Sequence, residues 1–450
     1  MLAKLDLKQI ITQGQELGAA EVELFYQESK ENELEIYEGE VESLNSAHTK
    51  GLGIRVFKDN QMGFAYTSQF EQDELERTLK EAIANAQVAS TDEYRTLPEL
   101  SSEVKQLDLY NDQLAATPIE DKINLALEME EVALDYDQRV DSVNKVGYGD
   151  NEVQVRLVNS KGFDESYRHN YCYAYLYVIA RQDEDIETGT AVTYGDCLAE
   201  LTPQQTGVKA AEDAVSLLGG EQVESQEAPV VLPPKVGSMF MYVLAQTLTA
   251  EAVQKGRSVF AEKLGESIAA EQVNIIDNGL LEEGLLTAPF DGEGVACSET
   301  ELIKNGVLKN FIYDTYTANQ AEAESTGNAS RGSYQGIPSV APSNFYLAPG
   351  EQTAEQVIDS VEEGFYVMKV SGLVTGGANP ISGEFSVGAT GRWIKDGELT
   401  KPVREVTIAG NLIDFLQDID LLADDLEFNP MIGAYATPTF RVKKLAISGY

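Results

Sequence analysis

Apolar residues recur with helical spacing at Leu5, Leu7, Ile10, Ile11 and Leu17, which predicts an amphipathic helix near the start of the chain. Short β-type runs follow at 21–27, 34–37, 41–49, 51–57 and 62–67. Asp59-Asn60 between the last two predicts a tight hairpin, because both residue types tolerate the positive φ such a turn demands. The 3.6-residue rhythm returns at 72–89, with Leu75, Leu79, Ile83 and Ala86 on one face, and again at 118–136, where Thr117 and Pro118 supply N-cap and first-turn chemistry. Residues 139–194 are β-rich, and 166–179 alternate aromatic residues as a half-buried strand does. A helix over 204–218 closes this region.

The polar, proline-containing stretch 217–238 reads as a linker between two textures. A boundary near residue 225 divides the chain into an N-terminal α/β-type domain, 1–225, and a C-terminal β-rich domain, 226–450. Two domains also suit 450 residues, 43% of them apolar, since single cores stop growing at about 250–300 residues. The expected fold class is α+β: a sheet with packed helices, then a β-rich unit around a buried helix at 235–252, with Met239, Phe240, Val243 and Leu244 in its core. L-I-K-N-G-V-L at 302–308 and W-I-K-D-G-E-L at 393–399 predict hairpins, because Asn-Gly and Asp-Gly suit the type I′ turn.

Charge and chemistry narrow the picture. With 75 acidic against 33 basic residues, the chain carries a formal charge of −42, which repels nucleic acid and anionic lipid. The apolar run 171–180 is far shorter than the roughly 20 residues that span a bilayer, so no membrane crossing is expected. Residues 1–6 lack a secretory pattern, and Cys172, Cys197 and Cys297 are widely spaced, so a cytoplasmic location with buried, unpaired thiols is expected. The two histidines, His48 and His169, fall in predicted strands of the first region and are read as structural or surface residues. H-E-x-x-H, a G-x-S-x-G elbow, D-[ST]-G loops and the two phosphate-binding glycine motifs are all missing.

The second half contains an ordered series of distinctive segments: E-L-I-K-N-G-V-L at 301–308, S-T-G-N-A-S-R-G-S-Y at 325–334, S-G-L-V-T-G-G-A-N-P-I-S-G-E-F-S-V-G at 371–388, K-P-V at 401–403 and I-A-G-N at 408–411. This series resembles the TldD/PmbA metallopeptidase family, whose glycine loop and following G-E-F strand match 371–388. The catalytic TldD branch carries an H-E-x-x-x-H helix and a C-terminal cysteine as zinc ligands. K-G-R-S-V-F at 255–260 resembles the stretch just after that helix, and counting back places Met241, Tyr242 and Gln246 at its ligand and base positions. A thioether, a phenol and an amide cannot replace them. The cysteine is also missing, since 428–440 reads F-N-P-M-I-G-A-Y-A-T-P-T-F.

The resemblance therefore implies the PmbA branch, also called TldE, whose older label is modulator of DNA gyrase. It implies a non-catalytic subunit with no catalytic residue, no metal and no cofactor of its own, paired with a TldD-like subunit that holds zinc, the pair processing peptides. A homodimeric peptide-binding scaffold without hydrolase activity is the other reading. In either case Arg331, Ser333, Gly376, Gly377, Asn379 and Glu384 are the candidates for contacting a peptide or partner, with Gly372, Gly376, Gly377 and Gly383 permitting positive φ and uncovered backbone.

Overall fold

The computed structural model describes residues 6–99 and 103–450. Helix α1 (Leu7–Glu16) leads into three antiparallel strands, β1 (Glu21–Tyr37), β2 (Glu40–Lys58) and β3 (Gln61–Thr67), and then α2 (Gln72–Val88). The same order follows again: α3 (Asp112–Ala116) and α4 (Ile119–Asp135), then β4 (Val140–Asn159), β5 (Asp164–Gln182), β6 (Asp185–Gly195) and α5 (Pro203–Ser216). β1 and β4 pair antiparallel, so the two halves share one sheet in the order β3-β2-β1-β4-β5-β6.

The halves agree in detail. A Cβ at Gly63 of β3 would lie 2.0 Å from Ala82 O of α2, and one at Gly189 of β6 would lie 1.9 Å from Ala210 O of α5. Glycine at these two points lets a helix backbone rest directly on the strand. α1 and α2 bury Leu7, Ile10, Leu75 and Leu79 against Leu24 and Ile54, while α4 and α5 cover Val146, Ala174, Leu176 and Val178. The opposite face carries Glu23, Phe25 and Gln27 and turns toward the second half, where Phe25, Val155, Leu157 and Phe163 meet Phe290 and Tyr334.

The second half is built from β7 (Gln226–Leu232), β8 (Ile275–Asn278), β9 (Glu299–Lys304), β10 (Val307–Leu308), β11 (Ala329–Ser330), β12 (Ser339–Val340), β13 (Phe345–Leu347), β14 (Glu363–Ser371), β15 (Glu384–Lys395), β16 (Glu398–Asn411), β17 (Ile419–Leu422), β18 (Glu427–Phe428), β19 (Tyr435–Thr437) and β20 (Phe440–Ser448). One sheet runs β16-β15-β14-β7-β20-β17, and β16 also pairs with β20, closing a circuit of strands. Another runs β10-β9-β8-β13-β19-β18. Helix α6 (Pro234–Thr247) sits in their shared core, its Phe240 stacked on Phe415 at 4.8 Å and edge-on to Phe385 at 5.3 Å.

Local expectations hold where a turn or a period decided them. Asp59-Asn60, Asn305-Gly306 and Asp396-Gly397 all have positive φ and join β2–β3, β9–β10 and β15–β16. Other readings are corrected. The runs 21–27 and 34–37 are one strand, since β1 is paired on both edges through the charged stretch between them. Residues 217–238 are not simply a linker: β7 lies in the middle of a sheet with Val230, Val231 and Leu232 fully buried.

The helix expected over 235–252 is two, α6 and α7 (Ala250–Gln254), because Thr249 takes an extended backbone and its Oγ1 caps Ala252 N at 3.3 Å. Phe240, Val243 and Leu244 of α6 are buried as expected, whereas Met239 is only partly so. Pro118 is the N-cap of α4 and not its first helical residue, and Thr117 ends α3. Of the first helix, Leu5 lies outside the described residues, as does most of the stretch 1–6 read for a secretory pattern. Cys172 and Cys297 are buried, but Cys197 is partly exposed.

Candidate functional site

The helix and the C-terminal segment that the resemblance brings together are neighbours. β19 packs on α6, with the Tyr242 ring edge-on to Tyr435 at 5.3 Å. Met241 is fully buried, Tyr242 half-buried, and Gln246, one turn on, exposed. Burial pushes the Tyr435 phenol up to about 12, so it stays protonated at neutral pH. Zinc takes thiolate, imidazole or carboxylate donors, and this set of a core thioether, two phenols and an amide does not fit it.

Beside this helix lies the glycine loop. Val259 N donates to Pro380 O at 2.8 Å, which pins the loop to the chain following α7. Asn379 organises it: its side-chain oxygen accepts from Ile381 N at 2.9 Å and Ser382 N at 3.2 Å. Gly376 has φ 115° and open space around it. Gly377 is different, because its φ is not positive; a Cβ there would sit 2.7 Å from Gly372 O, so it is glycine for room and not for φ. Glu384 is exposed and forms no ion pair among the described residues.

Arg331 is elsewhere, and it is buried, whereas the sequence made it a candidate for contacting a peptide or partner. Its side chain is 1% exposed and pairs with Glu23 of β1. Arg55 of β2 donates to Glu23 at 2.7 Å and to Glu293 at 2.9 Å, completing a buried quartet of two acids and two bases between the sheet and the second half. Such charges persist in an interior because each one faces an opposite charge. Ser333, two residues on, is partly exposed and accepts from Gln335 N at 3.2 Å. The six contact candidates therefore fall into two separate groups, one at the quartet and one on the glycine loop.

Next to the quartet is a cluster of buried acids that the sequence reading passed over. Asp291 accepts from Glu293 N, Val295 N and Ala329 N, all at 2.9 Å, and burial together with Glu293 raises it to about 7. Asp277 accepts from Ser343 and Asn328, and burial raises it to about 6. The signal was the loop D-G-E-G at 291–294, two carboxylates among glycines inside an apolar stretch. Asp291, His169, Phe25 and Arg331 help to wall a cavity of about 280 Å³.

A second cavity, of about 200 Å³, lies between the sheet and α6, with Tyr175 and Tyr177 facing Met239 and Phe428. The alternation of β5 resolves here. Cys172, Ala174, Leu176 and Val178 go under the helices, and Tyr171, Tyr173, Tyr175 and Tyr177 form a ladder of rings on the other face.

Three family descriptions match this chain in order: PmbA/TldA metallopeptidase domain 1 at 22–86, the central domain at 112–218 and the C-terminal domain at 225–449. The chain belongs to the PmbA/TldD metallopeptidase family. The first two of these domains coincide with the two halves of the internal repeat. An uncharacterized protein of Methanocaldococcus jannaschii is 30% identical over 426 residues, covering 93% of this chain and 95% of its own. The metalloprotease PmbA of Escherichia coli O157:H7 is 28% identical, over 90% of this chain and 88% of that protein.

Solved structures agree. A protein from Thermotoga maritima described as a putative modulator of a DNA gyrase superposes with a TM-score of 0.90 at 29% identity, covering 98% of this chain and 99% of that one. TldE from Thermococcus kodakarensis reaches 0.91 at 23% identity, covering 98% and 100%, and shares the PmbA/TldD fold. No helix among the described residues is long and apolar enough to cross a membrane.

Proposed function

We propose that this chain is the non-catalytic, PmbA/TldE-type subunit of a cytoplasmic two-component peptidase, and that a TldD-like partner holds the zinc. The observation that carries this reading is the chemistry at α6. Met241 is turned into the core, Tyr242 leans on Tyr435, and Gln246 is exposed with its amide beside the Tyr435 phenol. The segment packed against the helix, 434–437, offers Ala, Tyr, Ala and Thr and no thiol. A hydrolytic zinc site needs three strong donors and an open position, so this helix can shape a site without furnishing one.

The glycine loop supports a contact role. Its backbone around Gly376 is uncovered, and Asn379 and Glu384 stand exposed beside it, which suits pairing with an extended peptide or a partner chain. In this reading the buried Arg331 serves to hold the neighbouring loop with Ser333 in place and does not meet substrate.

The test is reconstitution. The purified chain, supplied with zinc, is expected to retain none and to cleave no peptide; mixed with a TldD-like subunit, it should form a heterodimer by mass and cleavage should appear. Stoichiometric zinc and peptide cleavage by the chain alone would overturn the proposal. A stable homodimer that binds peptides and ignores every TldD-like subunit would favour the scaffold reading instead.

A further inference from the structure

The first sheet repeats one row of residue types across β1, β4 and β5. Glu35, Gly147 and Tyr175 lie side by side, and Glu33, Gly149 and Tyr173 form the same row two residues along. Each ring tips over its glycine: a Cβ at Gly147 would lie 2.3 Å from Tyr175 Cζ, and one at Gly149 would lie 2.5 Å from Tyr173 Cζ. The two rings are nearly parallel, 13° and 6.3 Å apart.

One row is filled and the other is not. Lys145 Nζ pairs with Glu35 and stands 5.7 Å from the centroid of the Tyr175 ring. Lys145 comes two residues before Gly147 on β4, and the same step back from Gly149 reaches Gly147, which has no side chain to offer. Glu33 is accordingly exposed and forms no hydrogen bond or ion pair among the described residues. Burial, with Glu33 nearby, pushes the Tyr173 phenol up to about 12, so the ring stays neutral. Beyond it Glu31, Asn151 and Tyr171 form a third row, in which Glu31 accepts from Ser29 Oγ at 3.1 Å and meets no cation among the described residues.

A carboxylate beside an aromatic ring attracts a cation through its charge and the ring quadrupole together. Rows two residues apart are separated by roughly 6–7 Å, which is also the spacing of alternate side chains in an extended chain. We infer that this face docks an extended basic peptide, one lysine or arginine side chain entering between Glu33 and Tyr173 and another, two residues along, between Glu31 and Tyr171. The formal charge of −42 draws such a peptide in, and Lys145 shows the contacts its cations make. The inference rests on the peptide-handling reading above and names the class of peptide that this chain holds.

The test uses the full chain alone, with acetyl-Ala-Lys-Ala-Lys-Ala amide, its isomer with adjacent lysines and its glutamine analogue as calorimetric probes. The alternating peptide should bind severalfold more tightly than the isomer of equal charge, and the glutamine analogue should not bind. Glu33→Gln should weaken the alternating peptide roughly fivefold and leave the melting temperature unchanged. Glu398→Gln makes the same charge change at an exposed position in β16 and should leave binding as it was. Tyr173→Phe should retain affinity and Tyr173→Leu should lose it, because the ring face is the contact.

Equal binding of the two lysine peptides, equal losses from Glu33→Gln and Glu398→Gln, or no binding at all overturns the inference. None of these results touches reconstitution with a TldD-like subunit, so failure here and failure of the two-component reading remain distinguishable.

Discussion

Arg55 Nη1 donates to Glu293 Oε1 at 2.9 Å, and this contact ties β2 of the first sheet to a loop of the second half. Both side chains are at most 5% exposed, and the same guanidinium also holds Glu23. Arg55→Met should therefore cost about 3–5 kcal/mol, because it leaves Glu293 buried without its cation. Urea unfolding would measure this, and a change within about 0.5 kcal/mol, the range of ordinary surface substitutions, would refute it.

Asp291 should make stability fall as pH rises. Burial, reinforced by Glu293, lifts its pKa to about 7, so the folded state holds a proton that the unfolded chain releases near pH 4. This contribution is complete below about pH 4 and is lost as pH rises through about 7. The comparison to make is against Asp291→Asn, which does not titrate. The variant should be less stable than the parent at pH 5, having lost one acceptor for backbone N–H, and the gap should narrow by pH 8. A gap independent of pH would refute the assignment.

Gly63→Ala and Gly189→Ala should each destabilise by about 1–3 kcal/mol, the usual cost of overpacking. The added methyl in each case meets a helix carbonyl, Ala82 O at 2.0 Å or Ala210 O at 1.9 Å, and backbone cannot step aside as a side chain can. Thermal melts of the two variants should shift by similar amounts, since the two contacts are counterparts in the repeat. Unchanged melting at both positions would refute the close helix approach.

The three thiols should differ in reactivity. Cys172 and Cys297 are buried and their pKa values rise chiefly through burial, Cys172 to about 12. Cys197 is partly exposed. A disulfide reagent at pH 8 should label Cys197 in the folded chain and reach the others only on unfolding. Rapid labelling of Cys297 would mean that the cavity beside it opens freely.

Gly306→Ala should be costlier than Gly397→Ala. Both positions have positive φ, which costs about 1–2 kcal/mol for an L side chain, but a Cβ at Gly306 would also lie 2.3 Å from Ala269 O, against 2.9 Å from Asp359 O at Gly397. Denaturant midpoints of the two variants would rank them, and the reverse order would refute the argument.

Much of the fold was legible because short-range rules set it. The Asn-Gly and Asp-Gly turns need only local φ, and α2 and α4 show their buried stripes within seventeen residues each. The joining of 21–27 and 34–37 into one strand was not legible, since the charged residues between them are held by partners from β2 and β4. The break between α6 and α7 was equally hidden, because it depends on Leu248 O accepting from Ile312 N at 2.9 Å.

By itself the sequence determined the element types, the tight turns, the ordered family segments and the residue chemistry at 241, 242 and 246. Tertiary structure alone decided that Arg331 is a buried partner of Glu23, 308 residues away, and that Asp291, His169 and Gln27 wall one cavity. The reason is physical. Backbone dihedrals and hydrophobic period are properties of neighbours along the chain, whereas the burial of a charge and the pairing of its donors depend on which distant strand arrives beside it.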